Sequence, residues 1–287
     1  MKQLLILSGK GGTGKTTITS AFIKLANNKV FADCDVDAPN LHLLMNNLDK
    51  GKTSDFYGMS KADINTDKCI ECGLCQKNCH FDAIRKDDKY KVDPYSCEGC
   101  GVCERICPVD AIELKPDIAG ELKLYTEDNI FSTAELKMGS GTSGKLVTEV
   151  KNQLKIPEVE EELAIIDGSP GIGCPVIASI TGVDMVLVVA EPSISGINDM
   201  KRIIKTSQRF GTKTAVCINK YDINDKNSKK IQMFCEENKI PFVGKVPFDT
   251  KAIEAVNKGK TIVDVKCESG EASIKVFNNT IKILNEN

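Results

Sequence analysis

Gly9-Lys10-Gly11-Gly12-Thr13-Gly14-Lys15-Thr16 follows the apolar run Leu4-Leu5-Ile6-Leu7 and leads into a helical pattern from about Thr16 to Asn27. A buried strand, a glycine-rich turn and a helix, in that order, make a phosphate-binding loop. The glycines let the backbone curl so that its amides converge on phosphate oxygens. The helix start adds the positive end of its dipole. Lys15 is placed to reach the β- and γ-phosphates, and Thr16 to hold Mg²⁺.

Working outward, short apolar runs at Lys29–Asp33, Leu163–Ile166, Met185–Ala190, Thr214–Ile218 and Phe242–Val246 read as further strands. Helical patterns at Ile194–Phe210, Asp225–Asn238 and Thr250–Asn257 separate several of them. Strands alternating with helices predict an α/β fold, a mostly parallel sheet with helices on both faces. Residues 118–137 read as a strand pair.

The rhythm breaks between about residues 60 and 117. Cys69, Cys72, Cys75 and Cys79 form one run, and Cys97, Cys100, Cys103 and Cys107, followed by Pro108, form a second. The runs repeat with a period of 28 residues, and Phe81-Asp82-Ala83-Ile84 maps onto Val109-Asp110-Ala111-Ile112. A fixed period points to two copies of one structural unit. The strands on either side belong to one sheet, so the unit is an insertion. The domains are therefore 1–59 with 118–287, and the insert 60–117. Structural zinc is the bland reading of paired cysteines, but two complete four-cysteine runs disfavour it.

The cysteine spacing resembles that of bacterial-type ferredoxins with two [4Fe-4S] clusters, in which the fourth cysteine of each run serves the other cluster. The resemblance implies one cluster on Cys69, Cys72, Cys75 and Cys107, and another on Cys97, Cys100, Cys103 and Cys79. His80 stands where the first run would usually carry proline, and reads as a neighbour rather than a ligand. Cys34, Cys174, Cys217, Cys235 and Cys267 are isolated and read mostly as small buried apolar residues.

The chain has 287 residues, 41% hydrophobic and 27% charged, with a net charge of -2. That balance gives no reason to expect nucleic-acid binding. The opening apolar run is too short to span a bilayer and lacks a signal-cleavage pattern. With 13 cysteines and no export signal, a reducing cytoplasm and metal ligation are expected rather than disulfides.

Lys10 beside Gly11-Gly12-Thr13-Gly14-Lys15-Thr16-Thr17 resembles the deviant Walker A motif of the MinD/ParA superfamily of P-loop ATPases. Within it, the chain is similar to MinD-like ATPases with an inserted two-cluster ferredoxin domain. The resemblance implies an ATP-dependent homodimer in which Lys10 reaches the partner's phosphates. Asp33-Cys34-Asp35 matches the first switch, with Asp35 orienting the attacking water and Asp33 acting near Mg²⁺. Ile165-Ile166-Asp167-Gly168-Ser169-Pro170-Gly171 matches the Walker B strand and second switch. There Asp167 serves the Mg²⁺ shell through water, and the Gly171 amide senses the γ-phosphate. Ser169 replaces the usual proline.

Asn219-Lys220-Tyr221-Asp222 resembles the guanine-reading motif of GTPases. The superfamily implies adenine instead, with Asn219 and the Val246-Pro247-Phe248 loop around the base, so Pro247 joins the site. Asp222 keeps GTP open. A second glycine–lysine stretch, Gly139 to Lys145, has Leu146 where Ser or Thr would bind Mg²⁺, and reads as a connection followed by a helix. The paired cysteines of Mrp-type cluster carriers are not matched, since Cys174-Pro175 has no Cys-x-x-Cys partner. Ile274, Phe277, Ile281 and Leu284 form a helical stripe expected to pack on the core. The expected function is ATP hydrolysis coupled to electron transfer through two [4Fe-4S] clusters, with an unidentified redox partner. The alternatives are cluster delivery to apo-proteins and a positioning ATPase whose clusters sense redox state.

Overall fold

In the computed structural model, residues 1–45, 48, 50–155 and 161–286 are described. In chain order the elements begin with β1 (Lys2–Leu7), α1 (Lys15–Ala26), β2 (Val30–Asp33), β3 (Lys52–Tyr57) and β4 (Lys61–Ile64). Next come α2 (Leu74–Lys77), β5 (Ile84–Lys86), β6 (Tyr90–Val92), α3 (Val102–Arg105), β7 (Ile112–Lys115), β8 (Ile118–Tyr125) and β9 (Ile130–Leu136). After these lie α4 (Ser143–Asn152), β10 (Leu163–Asp167), α5 (Cys174–Ile180), β11 (Met185–Ala190), α6 (Ile194–Arg209) and β12 (Lys213–Asn219). The last are α7 (Asp225–Glu237), β13 (Phe242–Val246), α8 (Thr250–Asn257) and α9 (Glu268–Asn285).

The nine-stranded sheet runs β13-β12-β11-β1-β10-β2-β9-β8-β3. β1 pairs in parallel with β10 and β11, β10 with β2, β11 with β12, β12 with β13, and β2 with β9. Leu4, Leu5, Ile6 and Leu7 are all fully buried, which requires cover on both faces of β1 and explains its unbroken apolar run. Leu4 and Ile6 join Phe22 of α1 and Val276 of α9 in the main core. Phe22 and Phe277 meet edge to face at 5.1 Å. Phe277, Ile281 and Leu284 of the α9 stripe pack on that core, while Ile274 is exposed.

The chain divides into two compact units. One holds Met1–Thr53, Leu122–Glu135 and Gly144–Asn287, and the other Ser54–Glu121 and Leu136–Ser143. The division falls inside β3, β8 and β9 rather than at their ends. The second unit contains two antiparallel ribbons. β4 pairs with β7, with Ala62 opposite Leu114 and Ile64 opposite Ile112. β5 pairs with β6, with Lys86 opposite Tyr90 and Ile84 opposite Val92. The 28-residue period carries β5 onto β7 and β4 onto β6, so each ribbon repeats the other. Ile64, Ile84, Ile112 and Tyr90 fill the small core beside Cys75 and Cys97.

Candidate functional site

The glycine loop needs two left-handed turns, and Gly12 (φ 77°) and Gly14 (φ 92°) supply them. A methyl at Gly14 would lie 2.2 Å from the Asn219 amide nitrogen, so glycine is required there twice over. The loop ends at the N-terminus of α1, whose first amides have no partner within the helix. Asn219, at the end of β12, donates to the Thr13 carbonyl at 2.7 Å, and Lys220 donates to the Gly12 carbonyl at 2.9 Å. Asn219 thus braces the phosphate loop. Asp222 accepts from the Phe248 amide at 2.7 Å, which anchors the loop containing Pro247.

Parallel pairing of β2 with β10 sets Asp33 beside Asp167. Lys15 is buried against them, with its ammonium 2.8 Å from Asp167 and 3.7 Å from Asp35. Thr16 and Thr19 each donate to an Asp167 oxygen at 2.7 Å. Asp33 accepts from the amides of Asp35, Asn40 and Leu41 at 2.9–3.0 Å. Burial pulls the Lys15 pKa down, but Asp167, Asp33 and Asp35 outweigh it and the net shift is upward. Burial, reinforced by Asp167, pushes Asp33 up to about 7, and burial pushes Asp35 up to about 6. Three carboxyl groups around one ammonium are electrostatically overcrowded. The crowding fits a divalent cation.

Four contacts here were not legible in the sequence. Lys10 is held within its own chain by Glu191 at 2.9 Å and Ser193 at 3.2 Å. The Gly171 amide donates to the Ser8 carbonyl at 3.0 Å, and the Ser169 hydroxyl donates to the Cys34 carbonyl. The last two tie the loop between β10 and α5 to the ends of β1 and β2. Thr17 lies half-buried in the first turn of α1, and the open space above Gly11 and Gly12 meets no atom within 4 Å of a built methyl. The second glycine–lysine stretch ends in α4, where Leu146 is fully buried in the core.

In the smaller unit, one hollow is lined by Cys69, Cys72 and Cys75 from the first run and Cys107 from the second. The other is lined by Cys97, Cys100 and Cys103 from the second run and Cys79 from the first. α2 and α3 follow left-handed Gly73 and Gly101 and carry Cys75 and Cys103. Each hollow holds a cavity of about 20 Å³ and opens to solvent. Among the described residues no group of three or more His, Cys, Asp or Glu is arranged to hold a metal ion. Each hollow nevertheless brings four thiols to one apolar lining. Backbone support is present too, since the Ala111 amide donates to the Cys107 sulfur at 3.3 Å. His80 is exposed and lines neither hollow. Of the isolated cysteines, Cys34, Cys217, Cys235 and Cys267 are buried and Cys174 is exposed.

Known proteins resemble both the sequence and the fold. An uncharacterised protein of Methanocaldococcus jannaschii is 40% identical over 228 residues, 78% of this chain and 80% of that one. The iron-sulfur cluster carrier protein of the same organism is 22% identical over 98% of this chain and 84% of that one. The solved structure of the septum site-determining protein MinD from Pyrococcus horikoshii, complexed with Mg-ADP, superposes with a TM-score of 0.60 at 18% identity. That match covers 99% of this chain and 97% of that one. The family model for the CobQ/CobB/MinD/ParA nucleotide binding domain matches residues 4–262. The parallel sheet, the glycine loop and this match together place the chain in the CobQ/CobB/MinD/ParA nucleotide-binding family.

Proposed function

We propose that this protein is an ATP-hydrolysing switch coupled to electron transfer through two [4Fe-4S] clusters in the smaller unit. The observation that carries the redox half is the crossing of the cysteines, three from one run and one from the other around each hollow. A ferredoxin-like insert shares its ligands between clusters in this way. Bound there, the clusters would supply one-electron chemistry.

In the larger unit, the amides of Gly11, Gly12, Thr13 and Gly14 would receive the phosphates, and Lys15 would turn from Asp167 toward them. Thr16 would hold Mg²⁺, with Asp167 acting through water and Asp33 close by. The cation would relieve the crowding that lifts Asp33 and Asp35. Asp35 would orient the attacking water, and Asn219 and Pro247 would border the base. Phosphoryl transfer needs charges in fixed positions more than covalent chemistry. In an ATP-closed homodimer, Lys10 would leave Glu191 and Ser193 to meet the partner's phosphates. The Gly171 amide would leave the Ser8 carbonyl to meet the γ-phosphate.

Replacing Lys15→Ala should lower ATP hydrolysis at least a hundredfold while leaving the visible iron–sulfur absorbance unchanged. Normal hydrolysis by that variant would refute the nucleotide-site assignment. Hydrolysis measured with the clusters oxidised and then reduced tests the coupling, and equal rates would remove it. Similarity to a protein named as an iron-sulfur cluster carrier favours a second reading, delivery of clusters to apo-proteins. Loss of iron and sulfide to an apo-acceptor during turnover would favour delivery, and full retention would favour electron transfer.

A further inference from the structure

The two ribbons of the smaller unit repeat each other, but the hollows they border differ at one position. Tyr90 lies opposite Lys86 in the β5–β6 ribbon, and Ala62 lies opposite Leu114 in the β4–β7 ribbon. The 28-residue period maps Lys86 onto Leu114 and Ala62 onto Tyr90. Tyr90 lines the hollow of Cys69, Cys72, Cys75 and Cys107, whereas Ala62 and Leu114 line the other. Tyr90 is buried, with its hydroxyl 2.9 Å from a methyl built on Gly73, between Cys72 and Cys75. Apart from the four cysteines, the lining of that hollow is apolar, Ile70, Leu74, Val109 and Ile112 among it. A phenol can donate one hydrogen bond, and sulfur can accept it.

We infer that the Tyr90 hydroxyl donates to a sulfur of the cluster held by Cys69, Cys72, Cys75 and Cys107, and so sets the reduction potential of that cluster alone. The inference rests on the cluster-binding reading above. A hydrogen bond to sulfur stabilises the more negative, reduced state and raises the potential. At the other hollow, the symmetry-related position ends in a methyl group and can donate nothing. Lys61 donates to the Cys97 carbonyl there, a main-chain oxygen rather than a sulfur. Tyr90 is a positioning residue for electrons and takes no part in phosphate chemistry.

The test is a redox titration of full-length holoprotein, followed by electron paramagnetic resonance, for wild type and Tyr90→Phe. Iron and labile sulfide are measured first. A wild-type protein reconstituted without two clusters overturns the cluster reading itself, independently of Tyr90. With both clusters present, Tyr90→Phe should lower the reduction equilibrium constant of one cluster roughly three- to tenfold and leave the other unchanged. A tenfold one-electron change is about 59 mV. Deuterium exchange should reveal a proton coupled to the reduced wild-type cluster that Tyr90→Phe lacks, which a merely space-filling tyrosine would not produce. Unchanged potentials, equal shifts in both clusters, or a coupled proton that persists in Tyr90→Phe would overturn the inference.

Discussion

At the scale of single residues, the nucleotide pit is held together by charges that oppose one another. A carboxyl whose folded-state pKa exceeds its unfolded value binds its proton more tightly when folded. Asp33 at about 7 and Asp35 at about 6, against 3.8 unperturbed, both do so. Their contribution favours folding at low pH and is lost as pH rises from about 4 through the folded values. Without Mg²⁺ or nucleotide, thermal unfolding should therefore show a lower midpoint at pH 8 than at pH 5.5, and Asp33→Asn should flatten the difference. A wild-type midpoint that rises across this range would contradict the assignment. Lys10 offers a second test. Its pair with Glu191 is partly exposed, so it is worth about 1 kcal/mol or less. Glu191→Gln should tighten ATP-dependent self-association roughly two- to fivefold, as read by sedimentation. Weaker association would mean that Glu191 assists closure instead.

At the scale of elements, α4 and α5 are joined at both ends. Gly144, in α4, approaches Cys174, where a built methyl would lie 3.4 Å from the Cys174 backbone carbonyl. At the far end, Lys151 is buried and donates to the carbonyls of Ser179 and Thr181 at 2.7 and 2.6 Å, with Ala178 at 3.4 Å. A cation there satisfies the carbonyls at the C-terminal end of α5 and meets the negative end of its dipole. Burial nevertheless pulls the Lys151 pKa down to about 8. Lys151→Ala should cost about 2–4 kcal/mol, because it leaves a void and buried carbonyls without donors. Chemical denaturation would measure this, and a loss below about 0.5 kcal/mol would show that the carbonyls find other partners. Since α5 follows the loop after β10, Lys151 also anchors the helix into which that loop runs.

At the scale of the molecule, the crossed thiols make an unusual demand on mutagenesis. Cys107 belongs to the second run in sequence but lines the hollow of the first, and Cys79 does the reverse. Cys107→Ala should disturb the spectrum of the same cluster as Cys69→Ala, and Cys79→Ala that of the same cluster as Cys97→Ala. Pairing within each run instead would reject the crossed arrangement. Among the described residues no helix is long and apolar enough to cross a membrane.

The sequence determined the local and periodic features by itself. β11, β13 and α8 have the bounds their residue patterns imply, and the glycine loop lies between strand and helix as expected, the helix starting at Lys15, one residue before the expected Thr16. The strand pair at 118–137 and the helix after Gly139 also formed as read. These features rest on burial periodicity and glycine geometry, which neighbouring residues set. The placing of Cys107 with the first run and Cys79 with the second was anticipated by the resemblance to two-cluster ferredoxins. The grip of Glu191 on Lys10, the brace from Asn219 to Thr13 and the Lys151 cap were decided only in three dimensions. Each joins residues far apart in the chain, and nothing in local spacing records which side chains a parallel sheet will bring within 3 Å. The difference between Tyr90 and Ala62 belongs to the same class. Both residues were plain in the sequence, but only the strand registers showed that they occupy equivalent places.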